Sequence, residues 1–328
     1  MDPNLSVIIP TYNRRDSLLG TLNSLAIQTL PLNAFEVIVV SDGSPDDSES
    51  AVAARKWPYA LRLLTQKNSG PSVARNYGAK EAITPLLVFL DDDIEPTPIF
   101  LESHILAHRD DADLVVIGPQ SMPQNEWFPV WIAWEHLMLE RQYSRFRSGE
   151  WEVGPNNLYS GNFSVGREHL LTAGGFDENF KRQEDVELGF RLASLGLHFQ
   201  FVPKADGIHR PTRSYDSWLS SPYLYGIRDV QMARDKGEMR SMELARKHYR
   251  LRNMVTRILA RTCIGRPMLE PALFASLTPL PLALDRIGQR RSALTACSLL
   301  FNLLYLRGMA GEFGGAAAMW RELGMGDR

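Results

Sequence analysis

The stretch LLVFLDDDIE (86–95) decides the fold, because a run of apolar residues ends abruptly at three carboxylates. The apolar run predicts a buried strand, and ligands in open α/β sheets bind outside the carboxyl ends of the strands. Side chains alternate along a strand, so Asp91 and Asp93 can point the same way while Asp92 points elsewhere. Adjacent carboxylates repel one another, and a hard divalent cation would neutralise them. The alternative is that the acids begin a solvated loop and cap a turn.

Strand and helix patterns alternate on both sides of this stretch. Residues 15–28 and 71–83 have helical apolar spacing, and Pro71 suits a first helical turn. Such alternation predicts right-handed crossovers and an α/β fold with a mostly parallel or mixed sheet, flanked by helices. The strand-like runs are 6–10, 35–41, 61–65, 86–90, 113–119, 158–166 and 197–203.

After about residue 210 the sequence pattern changes from alternating strands and helices to helices. A helix is expected near 129–141, within a segment rich in Trp, Pro and Arg, and residues 229–262 have a long, charged helical pattern. We therefore expect a catalytic domain over 1–210 and a helical region over 211–328. That region could contact an acceptor, a second copy of the chain in a homodimer, or a membrane surface.

Composition narrows the function classes. The 328 residues carry a net charge of −2, which gives no reason to expect nucleic-acid binding. The two cysteines are far apart, so a disulfide is not expected and a cytoplasmic location fits best. The N-terminus has no signal-peptide pattern. The apolar stretch 294–306 is short for a membrane span, which favours a core helix, with a helix lying on the inner membrane face as the alternative.

Polar motifs follow the other strands as well. The first strand ends in PTYNR, the second in SDGS and the third in QKNSGPSVARN. These motifs, with FLDDD, GGFDENF and QEDVELGFRLASLG, resemble in their order the motifs of family 2 glycosyltransferases, which have the GT-A fold. The resemblance runs from residue 5 to about 210. HYRLRNM (248–254) is similar to a segment of some non-processive members, and the QxxRW pattern of processive synthases is absent.

The resemblance implies an inverting glycosyltransferase that uses Mn²⁺ or Mg²⁺ and a nucleotide-diphosphate sugar. Asp93 resembles the last aspartate of the family's DxD motif and would bind the metal. Asp91 would reach the ribose or a metal-bound water, and Asp92 would lie beside the nucleotide. His209, in GIHRP, is a further candidate ligand, although a lone histidine is more often structural. The residues expected to contact the nucleotide are Pro10, Thr11, Tyr12, Asp42, Asn68, Gly70 and Arg75.

Asp185, in QEDVEL, is the candidate general base, and Glu184 is the alternative. Asp185 stands at the start of a helical pattern, where the helix N-terminus would favour its ionised form. An N-cap role is the competing interpretation. A single carboxylate opposite the leaving group implies inversion at the anomeric carbon. Residues expected to shape the sugar pocket are Gly161, Asn162, Gly174, Gly175 and Phe176. Trp127, Phe128, Trp131 and Trp134 could stack on a sugar acceptor or form a lid, or could pack in a core.

Two other functions remain open. A GT-A-like nucleotidyltransferase would build sugar nucleotides, but PTYNRRDS lacks the expected Gly-rich loop. A non-catalytic module would bind a sugar nucleotide without turnover. A dehydrogenase is disfavoured because no GxGxxG follows the first strand. The pocket motifs resemble those of UDP-sugar enzymes, with dTDP and GDP left open. The expected acceptor is a cell-surface glycan or a lipid-linked saccharide.

Overall fold

A computed structural model describes residues 4–180 and 182–325, and the chain divides into two compact units. The first unit comprises Met1–Glu126 and Leu139–Pro211, and the second comprises Trp127–Met138 and Thr212–Arg328. The second unit thus includes a short segment from the middle of the chain, which the sequence pattern did not assign to it.

A seven-stranded mixed sheet forms the centre of the first unit, in the order β3-β2-β1-β4-β8-β6-β9. Parallel pairing joins β1 to β2 and β4, β2 to β3, and β6 to β9, whereas β8 runs antiparallel to both β4 and β6. The strands are β1 (Leu5–Thr11), β2 (Phe35–Ser41), β3 (Ala60–Thr65), β4 (Leu86–Leu90), β6 (Leu114–Ile117), β8 (Asn162–Gly166) and β9 (His198–Phe201).

Both faces of this sheet are buried, as near-continuous apolar strands predict. Alternate residues of β1 enter different cores: Ile8 lies in one cluster, and Val7 and Ile9 lie in the other. The helices of this unit are α1 (Arg15–Leu25), α2 (Ser48–Ala53), α3 (Pro71–Glu81), α4 (Phe100–His108), α6 (Arg167–Thr172) and α7 (Glu184–Ser194). The predicted α/β fold class is confirmed.

A second, three-stranded sheet lies beyond the end of β4. It consists of β5 (Ile94–Pro96), β10 (Gly207–His209) and β7 (Gln120–Ser121), with β10 in the middle. The antiparallel pairing of β10 with β5 sets His209 opposite Ile94. Because Ile94 directly follows the three aspartates, this register brings a histidine distant in sequence to the acidic end of β4.

Helices build the second unit. α5 (Val130–Arg147) contributes its residues up to Met138. The others are α8 (Tyr215–Asp235), α9 (Met239–Leu251), α10 (Met254–Cys263), α11 (Leu269–Leu277), α12 (Leu280–Arg286), α13 (Arg290–Glu312) and α14 (Ala316–Glu322). α8 and α13 cross closely at two glycines: a Cβ on Gly226 would lie 2.0 Å from the Tyr305 carbonyl oxygen, and one on Gly308 2.0 Å from that of Tyr223.

The long helical pattern over 229–262 needs correction, whereas the core helix favoured for 294–306 is confirmed. The helical pattern over 229–262 is interrupted at Gly237, which has a φ of +70°, and at Asn253, which caps α10. The apolar stretch 294–306 belongs to a helix of 23 residues, α13, which is long and apolar enough to cross a membrane by those criteria alone. In this structure its side chains, including Leu300, Leu303 and Met309, form the core of the unit.

Candidate active site

The three aspartates after β4 have different surroundings. Asp92 and Asp93 are buried, with 4% and 6% exposure, whereas a third of the Asp91 side chain is exposed. Asp92 accepts a hydrogen bond from the Thr11 hydroxyl at 2.7 Å, which ties the end of β4 to the end of β1. Burial raises the pKa of Asp92 to about 7, although the nearby Arg14 charge opposes this. The carboxylates are therefore structural parts of the sheet edge and do not form a solvated loop.

Asp93 faces His209, with 3.5 Å between Oδ1 and Nε2. Burial alone would raise the pKa of Asp93, but the hydrogen bond and charge of His209, together with Arg14, hold it below its ordinary value. Asp93 therefore keeps its charge, as a metal ligand must. The sequence had suggested this pairing only through a resemblance, and the structure supplies the geometry.

Arg14 is a residue that the sequence interpretation missed. Its Nη1 donates to Asp92 Oδ1 at 3.1 Å and to Asp93 Oδ2 at 2.6 Å, so one guanidinium joins two buried carboxylates. Arg14 follows β1, which pairs with β4. A basic residue just after a strand that neighbours an acidic strand end is a signal that could have identified it.

The residues at this end of the sheet could supply only part of the ligand shell of a divalent cation. Among residues 4–180 and 182–325, no group of three or more His, Cys, Asp or Glu side chains could hold a metal. Asp93 and His209 would supply two ligands, and Mg²⁺ or Mn²⁺ commonly completes its shell with substrate phosphates and water. Asp91, the third residue predicted as a metal ligand, accepts a hydrogen bond from Arg75 at its Oδ1 at 2.8 Å, and its role as a ligand stays a prediction.

Arg75 connects the acidic end of β4 to helix α7. It is 4% exposed, and its two terminal nitrogens contact Asp91 at 2.8 Å and Glu184 at 3.2 Å. Its guanidinium also lies 5.5 Å from the centre of the Phe176 ring. A buried arginine with two carboxylate partners fixes their positions. Arg75 therefore holds Asp91 and Glu184 in place, in addition to any contact with a nucleotide.

Asp185 lies next to this network, near the N-terminus of α7. Its carboxylate accepts hydrogen bonds from the backbone N–H of Ser160 at 3.2 Å and of Val186 at 2.8 Å. Burial first, and the charge of Glu184 second, raise its pKa to about 7. The helix N-terminus was expected to favour the ionised form of Asp185, and its backbone N–H group at Val186 does lower the pKa, but burial and the charge of Glu184 outweigh it. A carboxyl with this pKa can accept a proton near neutral pH. The ion pair with Arg75 makes Glu184 the weaker candidate.

Asp42 organises the loop before α3. Its carboxylate accepts from Gln66 Nε2 and the Ser69 N–H, both at 2.7 Å, and from the Gly70 N–H at 2.8 Å. Gly70 has a φ of +98°, a conformation that favours glycine. The structure thus gives Asp42 a role in shaping the loop that the sequence had not predicted.

The remaining predicted nucleotide contacts lie close to this loop or at the end of β1. Pro10 and Thr11 are buried at the end of β1, while Tyr12 is 48% exposed and Asn68 is exposed. An exposed aromatic ring next to a buried strand end is a suitable surface for a nucleobase. These contacts remain predictions.

Two of the predicted sugar-pocket residues, Gly161 and Asn162, differ in their surroundings. A Cβ on Gly161 would lie 2.7 Å from Asp91 Oδ2, so only glycine allows that carboxylate to lie there. Asn162 is 0% exposed, and its amide nitrogen donates to the carbonyl oxygens of Pro119 and Ala205. Because both of its N–H groups are already used inside the protein, we exclude Asn162 from the site.

The GGF turn is attached to helix α3. Asn76 donates to the Phe176 carbonyl oxygen and accepts from its N–H, at 2.9 and 2.8 Å. Gly174 and Gly175 both have positive φ, and a Cβ on Gly175 would lie 2.5 Å from Asn76 Oδ1. These glycines are required by backbone geometry, and the turn places Phe176 against Arg75.

The aromatic segment 127–134 belongs to the second unit. Phe128 is 9% and Trp134 5% exposed, and Trp134 lies in the core of that unit. Trp131 packs against Tyr215 and donates to the Arg213 carbonyl oxygen at 3.0 Å. Trp127 is 74% exposed. Core packing therefore accounts for Trp134 and, in large part, for Phe128 and Trp131, and an acceptor contact remains a prediction for Trp127.

The comparisons with known proteins agree with these observations. The family model described as Glycosyl transferase family 2 matches residues 6–171. Validoxylamine A glucosyltransferase of Streptomyces hygroscopicus subsp. jinggangensis is 32% identical over 67% of this chain and 58% of the relative. Hyaluronan synthase of Pasteurella multocida is 29% identical over 62% of the chain and 24% of the relative. The matched region thus spans little more than half, or less, of these relatives.

Two solved structures have a similar fold. Mannosyltransferase PcManGT from Pyrobaculum calidifontis, in complex with GDP-Man and Mn²⁺, gives a TM-score of 0.63 at 20% identity, over 94% of this chain and 87% of that one. TarS 1–349 of S. aureus, in complex with UDP-GlcNAc, gives a TM-score of 0.55 at 20% identity, over 96% and 93%. At these identities the likeness concerns the fold.

Proposed function

The chain belongs to glycosyl transferase family 2, and from that premise we propose that it is an inverting glycosyltransferase. It would move a sugar from a nucleotide-diphosphate sugar to a hydroxyl acceptor, with Mn²⁺ or Mg²⁺. The observation that supports this most directly is the arrangement of charged side chains within the first unit. The Asp93–His209 pair lies at the end of β4, and Asp91, Arg75 and Glu184 connect that end to Asp185.

The two ends of this network suit the two charges that the reaction must manage. A departing nucleoside diphosphate gains negative charge, and a bound divalent cation stabilises it as a Lewis acid. Asp93 and His209 are the residues that would hold that cation. The acceptor hydroxyl must lose a proton as it attacks, and Asp185 is a carboxyl whose pKa of about 7 suits a general base.

Inversion follows from the number of carboxylates available as nucleophile or base. Glu184 is engaged by Arg75 at 3.2 Å and Asp91 by the same arginine at 2.8 Å. Within this network Asp185 is left as the proton acceptor, and Arg75 holds the other two carboxylates away from the role of a nucleophile that would form a covalent sugar intermediate. Direct attack by the acceptor on the face opposite the diphosphate therefore inverts the anomeric carbon.

Our proposal specifies the donor less closely than it specifies the reaction. The similar structures carry GDP-Man or UDP-GlcNAc, so the fold accommodates either base. We retain a UDP-sugar as the first donor to test, and a cell-surface glycan or lipid-linked saccharide as the acceptor class.

The experiment compares thermal unfolding with UDP, GDP and dTDP, each with and without Mn²⁺, for the wild type and Asp93→Asn. Ligand at about 100 times its Kd stabilises a folded protein by roughly 2.7 kcal/mol. We expect one nucleotide to raise the Tm of the wild type only with Mn²⁺, and we expect Asp93→Asn to lose that shift. Asp113→Asn, at an exposed carboxylate of the same unit, is the control.

The products formed from the matching sugar nucleotide distinguish the candidate functions. Release of the nucleoside diphosphate supports transfer. Release of pyrophosphate would instead indicate a nucleotidyltransferase, and a Tm shift without turnover would indicate a binding module. A Tm shift in Asp93→Asn equal to that of the wild type would contradict the proposed metal site.

A further inference from the structure

Residues 244–269 of the second unit differ in charge from the rest of the chain. They contain seven Lys and Arg residues and no Asp or Glu, although the whole chain has a net charge of −2. The remainder of the chain is therefore clearly acidic, and a strongly basic surface is concentrated in one segment. The segment includes the end of α9, all of α10 and the start of α11.

The same segment exposes large apolar side chains. Met254, Val255 and Ile258 of α10 are 69%, 58% and 48% exposed. Leu251 and Met268, just before and after this helix, are 75% and 84% exposed. Single exposed apolar residues are ordinary, but a group of them within one segment of a chain marks an interaction surface.

A rigid corner between α9 and α10 holds these side chains outward. Tyr249 is 1% exposed, and Arg252 donates to the Asn302 carbonyl oxygen at 3.0 Å and lies 5.0 Å from the centre of the Tyr305 ring. Asn253 caps α10 by accepting from the Thr256 N–H at 2.8 Å. Leu251 and Met254 flank these three anchored residues, and both side chains are exposed.

The opposite face of α10 is buried. Thr256 and Ala260 are 0% exposed, and Ile264 is 3% exposed. The helix therefore packs one face into the unit, and its exposed face, with Met254 and Ile258, is left without a covering group among the residues that the structure describes.

Four of the seven cations are available for binding. Lys247, Arg250, Arg257 and Arg266 form no ion pair with any residue in 4–180 or 182–325. The other three are engaged within the second unit. Arg246 donates to the Glu322 carbonyl oxygen, Arg252 to that of Asn302, and Arg261 to that of Met325.

We propose that the surface formed by residues 244–269 binds an anionic lipid membrane. An interfacial helix of this kind combines exposed apolar side chains, which enter the acyl boundary, with Lys and Arg, which contact anionic headgroups. A second copy of the chain is disfavoured as the occupant, because a symmetric contact would place two surfaces of net positive charge together. Nucleic acid is disfavoured because phosphate contacts leave Met254, Val255 and Ile258 uncovered.

Vesicle co-sedimentation of the whole chain, without donor or acceptor, tests this proposal independently of the transferase activity. Vesicles of phosphatidylcholine alone are compared with vesicles that contain roughly 30% phosphatidylglycerol. We expect binding only to the anionic vesicles, with a partition coefficient that falls as NaCl is raised, because salt screens the headgroup charge.

Two variants test the two components of the surface. Ile258→Asp should reduce partitioning at least tenfold, because it places a carboxylate at the acyl boundary. Lys247→Gln with Arg257→Gln should reduce it by about fivefold for each cation removed. The matched controls are Ile287→Asp, at an isoleucine with 71% exposure outside the segment, and Lys56→Gln in the first unit. Both should bind as the wild type does.

Three results would overturn the proposal. The first is no binding of the wild type to anionic vesicles, or unchanged binding in both test variants. The second is a wild-type dimer in sedimentation velocity that Ile258→Asp converts to a monomer, since a second copy would then cover the surface. The third is equal affinity for a single-stranded oligonucleotide at the same salt.

Discussion

The candidate active site of the first unit and the basic surface of the second use charge and apolar surface in opposite ways. The first unit buries charged groups, including Asp92, Asp93 and Arg75, which are all below 7% exposed. The second unit exposes apolar groups, such as Met254 and Val255, which are more than half exposed. Each arrangement costs stability when considered alone. For each feature we have proposed a ligand of complementary chemistry that would compensate this cost, a diphosphate with its cation in the first unit and a lipid surface in the second.

The largest expected effect concerns Asp185. Asp185→Asn should lower kcat by roughly 10²–10⁴, because a general base typically contributes that much. Asp206→Asn is the matched control, since Asp206 is another carboxyl of the first unit whose pKa burial raises. It should change kcat by only a few-fold.

Steady-state kinetics on an acceptor without a lipid tail measures this difference. Met254→Ser, in the exposed surface of the second unit, should leave kcat unchanged with the same acceptor. A large loss of kcat in Met254→Ser would show that the two regions are not functionally separate. Full activity in Asp185→Asn would remove the proposed base.

The second effect concerns Arg14 and the stability of the first unit. Removing one partner of a buried ion pair costs about 3–5 kcal/mol, and the partly exposed Arg14 reduces this to roughly 1–3 kcal/mol for Arg14→Met. Denaturant unfolding measures the free energy. Saturating Mn²⁺ should restore part of the loss, because the cation would then neutralise Asp93 in place of the guanidinium.

Arg257→Met, at a cation of the second unit without a carboxylate partner among the described residues, is the control for Arg14→Met. Its effect should stay within about 0.5 kcal/mol. Equal destabilisation by the two substitutions would mean that Arg14 does not compensate buried charge. If Mn²⁺ stabilised Arg257→Met but did not stabilise Arg14→Met, the proposed metal site at Asp93 would be excluded.

The smallest effect is the pH dependence of Asp185. With a pKa of about 7, the ionised base falls roughly tenfold for each pH unit below that value, and kcat/KM should fall with it. The pKa is raised in the folded state, so the folded protein binds this proton more tightly than the unfolded chain does. The free energy of unfolding should therefore decrease as the pH rises from about 4 through about 7.

Asp185→Asn should remove that part of the pH dependence, and Asp113→Asn should retain it. Unfolding curves at several pH values between 4 and 8 provide the measurement. If the free energy of unfolding of Asp185→Asn decreases with rising pH as steeply as that of the wild type, another group causes the pH dependence.

The sequence predicted most of the sheet and part of the site, for a common reason. Apolar runs such as 86–90 and motifs such as QEDVEL are local, and local patterns report strands, helix starts and the acids that follow them. Arg14 was missed because its function depends on two carboxylates about eighty residues away, which only the pairing of β1 with β4 brings near. Asn162 was assigned to the sugar pocket because a motif does not reveal that its side chain is fully buried and donates to the distant carbonyl groups of Pro119 and Ala205.

By itself, the sequence determined the class of the fold, the acids at the end of β4, the resemblance to the family and the basic character of 244–269, because each depends on residues close together in the chain. Only the tertiary structure decided that His209 faces Asp93, that Arg75 joins Asp91 to Glu184, and that burial raises the pKa of Asp185. The physical reason is that strand register, ion pairing and desolvation depend on which distant residues become neighbours, and local patterns in the chain do not contain that information.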